Sequence, residues 1–247
     1  MERQDNVMAT IGFFNCVSTQ PKATEESVKS IRQFHPDSFF MIACDGGPDY
    51  YDLCKKYNIE YYHSQKNLSY PVQPFGYRKE KILEWLSRFY IACIKTDTTH
   101  LMMVEDDVVL IKPVTVEDEW EVAGHPTTHA NLFHPKFTDM IRNYSNKEPD
   151  VYGYGAGGGS IFKVQTFIDN YFDITKFIEE NADYIQDNIY PTMGWMDCYM
   201  TYYYLLCGKK YTNNPYLFNI WPTDKNYDIK NVPLEMEIVH NYKNYYV

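Results

Sequence analysis

The amino-acid sequence predicts an α/β protein built on a doubly wound, mostly parallel sheet. Two observations carry that expectation. The first is an alternation of short apolar runs with amphipathic stretches between Ala9 and His63. This β-α-β-α-β order makes half of such a sheet. The second is the stretch Leu101-Met102-Met103-Val104-Glu105-Asp106-Asp107-Val108-Val109-Leu110-Ile111, in which an apolar run breaks on consecutive carboxylates and then resumes. A short apolar run bounded by polar segments reads as a buried strand, so the acids sit at or just past its end. In an open α/β sheet that carboxyl edge is where ligands bind.

Taken in order, Ala9 to Val17 is a strongly apolar first strand, broken by Ser18-Thr19-Gln20-Pro21. An amphipathic helix follows, with Val28, Ile31 and Phe34 on its inner face. The second strand, Phe39 to Cys44, closes on Asp45-Gly46-Gly47-Pro48, residues suited to tight chain reversal. A short helix through Leu53 and Tyr57 leads to a third strand, Ile59 to His63. Gln65 to Pro74 reads as a loop. Tyr77 to Ile94 reads as a long helix with Ile82, Leu86, Phe89 and Cys93 on one stripe, and Trp85 and Tyr90 beside it. Arg78, Lys79 and Lys81 in its first turn oppose the helix dipole. Arg78 is therefore a candidate for an anion, and Lys79 reads as solubilising charge.

Beyond the acidic strand, Trp120 to Ala123 reads as another strand and Asn131 to Asp150 as an irregular polar excursion. Gly153, Gly155 and Gly158 match the G-x-G-x-x-G pattern formally. No apolar strand precedes them, which rejects a dinucleotide site. The run through Gly157, Gly158 and Gly159 reads instead as backbone packed tightly against a ligand. Met193 to Cys198 opens a very apolar helix, Tyr199 to Cys207, ended by Gly208. Asp197 lies near its first turn, either as a dipole-favoured helix-start acid or as a general base. Pro222 to Pro233 is polar and flexible, and Glu237 to Lys243 is a short strand with His240 near its end.

Composition bounds the function. A chain of 247 residues and 29.2 kDa reads as a single domain over 1–247 with a sizeable core. A net charge of -10 and a pI near 5.1 argue against general binding to nucleic acid or anionic membrane. Positive charge must then be gathered locally. Cys16, Cys44, Cys54, Cys93, Cys198 and Cys207 show no metal-type spacing, and most lie in apolar surroundings. They read as reduced thiols in a cytoplasmic chain. No signal peptide or membrane span is visible, and the N-x-S matches at Asn67 and Asn143 read as chance. The 24 tyrosines fit a carbohydrate-facing surface or simply genome composition.

Adjacent carboxylates repel each other and are costly to desolvate, so a cation is their natural partner. Oxygen ligands of this kind suit Mg²⁺ or Mn²⁺, which bridge nucleotide phosphates. The bland alternative is a solvated acidic turn.

Asp45, Glu105-Asp106-Asp107, Gly157-Gly158-Gly159, Asp197 and His240, in that order, resemble the GT-A fold of nucleotide-sugar glycosyltransferases, inverting type. The resemblance covers most of the chain. Its first motif position is Glu105 rather than Asp, and the compact form is also similar to glycosyltransferase domains of large algal viruses that decorate capsid glycans. The resemblance implies a nucleotide-sugar-binding half over about 1–112 and an acceptor-binding, catalytic half over about 113–247. It implies Asp107, His240 and Glu105 as ligands of Mn²⁺ or Mg²⁺, with Glu105 or Asp106 holding ribose or metal-bound water. Asp45 would accept from a uracil or guanine N–H, Val17 and Thr19 would flank the nucleoside, and Arg78 would meet the phosphates. Gly157, Gly158, Gly159 and Trp195 would line the acceptor side, with Asp197 as base.

The implied partners are a nucleotide-diphosphate sugar, UDP-sugar favoured, and a glycan or glycoprotein acceptor. The implied location is the cytoplasm, the host's for a viral chain. Two other classes stand beside this one. One is a Mg²⁺-dependent nucleotidyl- or phosphotransferase, against which the lack of a phosphate loop after the first strand counts. The other is a carbohydrate-binding protein with a disabled site.

Overall fold

The computed structural model describes residues 8–17, 20–64, 79–125, 135–146, 157–188, 200, 203–220 and 226–245. β1 (Ile11–Val17), α1 (Pro21–Phe34), β2 (Phe40–Asp45), α2 (Tyr51–Lys56) and β3 (Glu60–Ser64) follow in the order read from the sequence. Pro21 starts α1, where its fixed φ suits the first turn and its missing N–H leaves no bond unmade. Thr24, Ser27, Val28 and Ile31 bury one face of that helix. α3 (Lys79–Lys95) leads into β4 (His100–Val104), which is buried along its whole length.

The central sheet has seven strands in the order β3-β2-β1-β4-β7-β6-β8. β1 pairs in parallel with β2 on one side and β4 on the other. The chain thus winds outward to β3 and returns to the far side of β1, so the gap between β1 and β4 is the topological switch point. β7 (Ile161–Lys163) runs antiparallel to both β4 and β6 (Val122–Gly124), and β6 is parallel to β8 (Tyr211–Asn213). A second sheet of three strands sets β10 (Ile238–His240) between β5 (Val109–Leu110) and β9 (Leu217–Asn219).

Successive strand residues point to opposite faces, and Phe13 and Phe14 head the two cores that result. Phe14 packs with Trp85 and Phe89 of α3, and with Phe162, Phe167, Tyr203 and Tyr204. Phe13 packs with Val28 and Ile31 of α1, and with Ile42, Met102 and Ile238. α3 lies against the long helix α5 (Val164–Asn188), where the Tyr90 and Tyr171 rings stack at 4.0 Å.

Several expectations change. The excursion over Asn131 to Asp150 contains a helix, α4 (Pro135–Ser145), held by Met140 against the core and by Tyr144 on the Phe177 ring at 4.8 Å. Trp120 belongs to a turn, its N–H bonded to Glu117 O, and the strand starts at Val122. The segment 226–233 is ordered rather than flexible: Asp228 accepts from Lys230 N at 3.0 Å and caps a 3-10 turn, with Val232 buried behind it. Gly208 ends the apolar helix as read. Its φ of +69°, with Lys209 N on Tyr204 O and Gly208 N on Leu205 O, makes a Schellman cap. Cys16, Cys44, Cys54, Cys93 and Cys207 form no disulfide among the described residues, and Cys198 lies outside them. Among the described residues no helix is long and apolar enough to cross a membrane.

Candidate metal centre

β4 ends at Val104, so the carboxylates stand just past a buried strand, beside the end of β1 where Asn15 pairs with Val104. Val108 N donates to Glu105 O and folds the three acids into a turn. The apolar residues that resume after them form β5, which leaves the central sheet and pairs with β10 through Ile238↔Leu110 and Val239↔Val109. That pairing carries His240 back over the acids. Tyr242 N then donates to Asp107 O at 3.0 Å, which fixes the chain beyond the histidine.

Glu105, Asp107 and His240 each offer one ligand atom, and the three atoms lie within 4.8 Å of one another. His240 Nε2 is 3.3 Å from Glu105 Oε2 and 3.6 Å from Asp107 Oδ1. The Asp107 side chain is only 2% exposed whereas Glu105 is 41% exposed, so one wall is buried and the other is open to solvent. Lys243 Nζ contacts Asp107 Oδ2. Asp107 Oδ1 is buried and has no hydrogen-bond partner among the described residues. A buried carboxylate oxygen without a donor is costly, and a cation between it, His240 Nε2 and Glu105 removes that cost. Two carboxylates and an imidazole are a donor set that would suit Mn²⁺ or Mg²⁺.

The electrostatics agree. Burial pulls the His240 pKa down, yet the Glu105 hydrogen bond and the Asp107 and Glu105 charges together hold it above the ordinary value, against Lys243. A proton on His240 thus stands where positive charge is wanted, and a cation would displace it.

The glycine run forms the floor of this centre. Gly159 N donates to Met103 O, and Ser160 O accepts from Met103 N, both at 2.8 Å. A Cβ on Gly158 would lie 2.5 Å from Val108 Cγ2, 3.0 Å from His240 Cδ2 and 3.2 Å from Glu105 Cβ. Gly159 has φ +89°, a conformation glycine takes without strain. The sequence reads this run as backbone packed against a ligand; the atoms nearest a Cβ on Gly158 belong to Val108, His240 and Glu105. Gly158→Ala is expected to cost about 1–3 kcal/mol of stability by overpacking. It should also weaken Mn²⁺ uptake by pushing His240 and Glu105 apart. Melting curves with and without Mn²⁺ check both: the metal-induced rise in Tm should shrink.

The other candidate residues are placed as follows. Val17 and Asp45 close β1 and β2, with backbones in register with Cys44 and Ser64, so both lie on the carboxyl edge with the acids. Asp106 sits toward β2, where its charge, after burial and Cys44, helps push the Tyr50 pKa up to about 12. Thr19, Arg78, Trp195 and Asp197 lie outside the described residues. Lys79 pairs with Asp183 at 3.2 Å, in keeping with a plain surface charge. Sequence reasoning gave no role to Lys243, although it follows His240 closely in a chain short of basic residues. It also passed over His125, a lone histidine just past a three-residue strand.

No family model matches the chain, and no curated protein matches it in sequence. Among solved structures it is similar to the apo structure of the WbbM bifunctional glycosyltransferase, at a TM-score of 0.51 and 12% identity. The match covers 95% of this chain and 46% of that one, so the chain spans about half the length of that neighbour. The chain therefore has an α/β fold of the kind found in a glycosyltransferase.

Proposed function

We propose that this chain is a metal-dependent glycosyltransferase of the GT-A type, moving a sugar from a nucleotide-diphosphate donor to a glycan hydroxyl. The observation that carries the reading is the Glu105–Asp107–His240 cluster at the switch point, with the buried, undonated Asp107 Oδ1 inside it. Glu105, Asp107 and His240 would hold Mn²⁺ or Mg²⁺. Such an ion, when bound, supplies Lewis-acid stabilisation of the leaving diphosphate.

The chain's own residues bind and orient the rest. Asp45, at the end of β2, accepts from the nucleobase N–H, which favours UDP over nucleotides without an imide donor. Val17 and Thr19 flank the nucleoside, Asp106 takes the ribose hydroxyls, and Arg78 meets the phosphates. Residues over about 1–112 thus serve the donor, and those over about 113–247 serve the acceptor, with Gly157, Gly158, Gly159 and Trp195 on that side. Asp197 accepts the proton of the acceptor hydroxyl as its oxygen attacks the anomeric carbon and the bond to the diphosphate breaks. One displacement of this kind inverts the configuration.

The test is a panel of nucleotide sugars assayed with Mn²⁺ and with chelator. Metal-dependent release of free nucleoside diphosphate, greatest for a UDP-sugar, is the expected result. Release of pyrophosphate or nucleoside monophosphate would point to nucleotidyl or phosphoryl transfer instead. Binding without turnover would point to a carbohydrate-binding protein.

A further inference from the structure

His125 and Asn214 follow directly on β6 and β8. Gly124 pairs with Asn213, and Asn214 N donates to Gly124 O at 2.8 Å, so the two residues stand side by side past their strand ends. Two antiparallel steps, β4 to β7 and β7 to β6, return β6 and β8 to the direction of β4. Both residues therefore sit on the same carboxyl edge as the metal centre. In the strand order they lie beyond β4, on the side away from β1 and β2. With the nucleoside at β1 and β2 and the diphosphate at β4, as proposed above, the donor sugar would point toward them.

Each residue carries a buried polar atom without a partner among the described residues, namely Asn214 Nδ2 and His125 Nδ1. The Asn214 side chain and the His125 main chain are both held. Asn214 is 2% exposed, and its Oδ1 accepts from Tyr216 N at 2.9 Å, which fixes the amide orientation. Tyr211 OH donates to His125 O at 2.8 Å. A buried polar group left unpaired in a well-packed region calls for a ligand or an ordered water. Burial first, and then the His240 charge, lower the His125 pKa, which favours the neutral imidazole. A neutral ring nitrogen and an amide N–H on neighbouring residues match a group that both donates and accepts, as a hydroxyl does. A phosphate would call for cationic donors instead.

We infer that His125 and Asn214 bind a hydroxyl of the donor sugar and so help to select it, an inference that rests on the glycosyltransferase reading. His125→Phe keeps the ring bulk without nitrogen. Asn214→Asp keeps the acceptor for Tyr216 N and removes the Nδ2 donor. Calorimetry in Mn²⁺ compares UDP with a set of UDP-hexoses on the unmodified protein and both variants. The Kd for UDP should change by less than about twofold while that for the preferred UDP-hexose rises about tenfold, as expected for one lost hydrogen bond.

A deoxy-UDP-hexose series on the unmodified protein should show the same loss at one ring position, and this arm needs no variant to fold. Unchanged UDP-hexose affinity, equal weakening of UDP and UDP-hexose, or indifference to every deoxy position would each overturn the inference while leaving the metal site standing. If the unmodified protein binds no nucleotide in Mn²⁺, the glycosyltransferase reading itself fails and takes the inference with it.

Discussion

Asp107→Ala should lower the Mn²⁺-dependent affinity for a nucleoside diphosphate by ~100-fold or more, beyond the range seen for loss of a residue that only supports a ligand. The size follows from two contacts. Asp107 presents Oδ1 toward His240 Nε2 and Oδ2 to Lys243. Removing it takes away a ligand and also leaves the Lys243 ammonium beside the vacated position, where it repels an incoming cation. The fold should persist. The Tyr242 N to Asp107 O bond is main chain, and the β1–β4 pairing ends before the substituted residue. Calorimetry checks the binding and a melting curve checks the fold. Unchanged metal-dependent affinity in a folded variant would remove Asp107 from the site.

Asp197→Asn is expected to keep donor and metal affinity and to lose transfer by at least the ~10²-fold typical of a missing general base. Asn is isosteric with Asp and caps a helix equally well, so stability should barely change. The same substitution at a helix-start acid without catalytic work would leave turnover nearly intact. Single-turnover transfer separates the two outcomes. A near-normal rate would place the base elsewhere or indicate retention of configuration.

The central strands were legible because β1, β2 and β4 are predominantly apolar and serve two cores at once. The acids were legible because charge interrupting such a run needs a reason. What escaped has a physical cause in each case. Apolar residues at 137, 140, 141 and 144 have helical spacing, but Asn, Lys and Asp around them dilute the pattern. β8 and β9 are each three residues long, too short to show any period, and tertiary pairing creates them.

The candidate site divides in the same way. The acid turn is local, whereas the approach of His240 depends on β10 pairing with β5 across more than half the chain. Only the family resemblance brought His240 to the acids in advance. His125 and Asn214 gave no signal at all, since a lone histidine and a turn asparagine are ordinary in sequence. Their interest comes from buried atoms without partners among the described residues, which only coordinates reveal.

The central claim is that Glu105, Asp107 and His240 hold a divalent cation that bridges a nucleotide diphosphate. Pulsed electron paramagnetic resonance of Mn²⁺ with the protein and UDP tests it most directly. The predicted spectrum shows coupling to one imidazole nitrogen and to diphosphate phosphorus in the same complex, with the nitrogen coupling lost in His240→Gln. A spectrum that stays that of the hydrated ion, or a nitrogen coupling that survives His240→Gln, would contradict it.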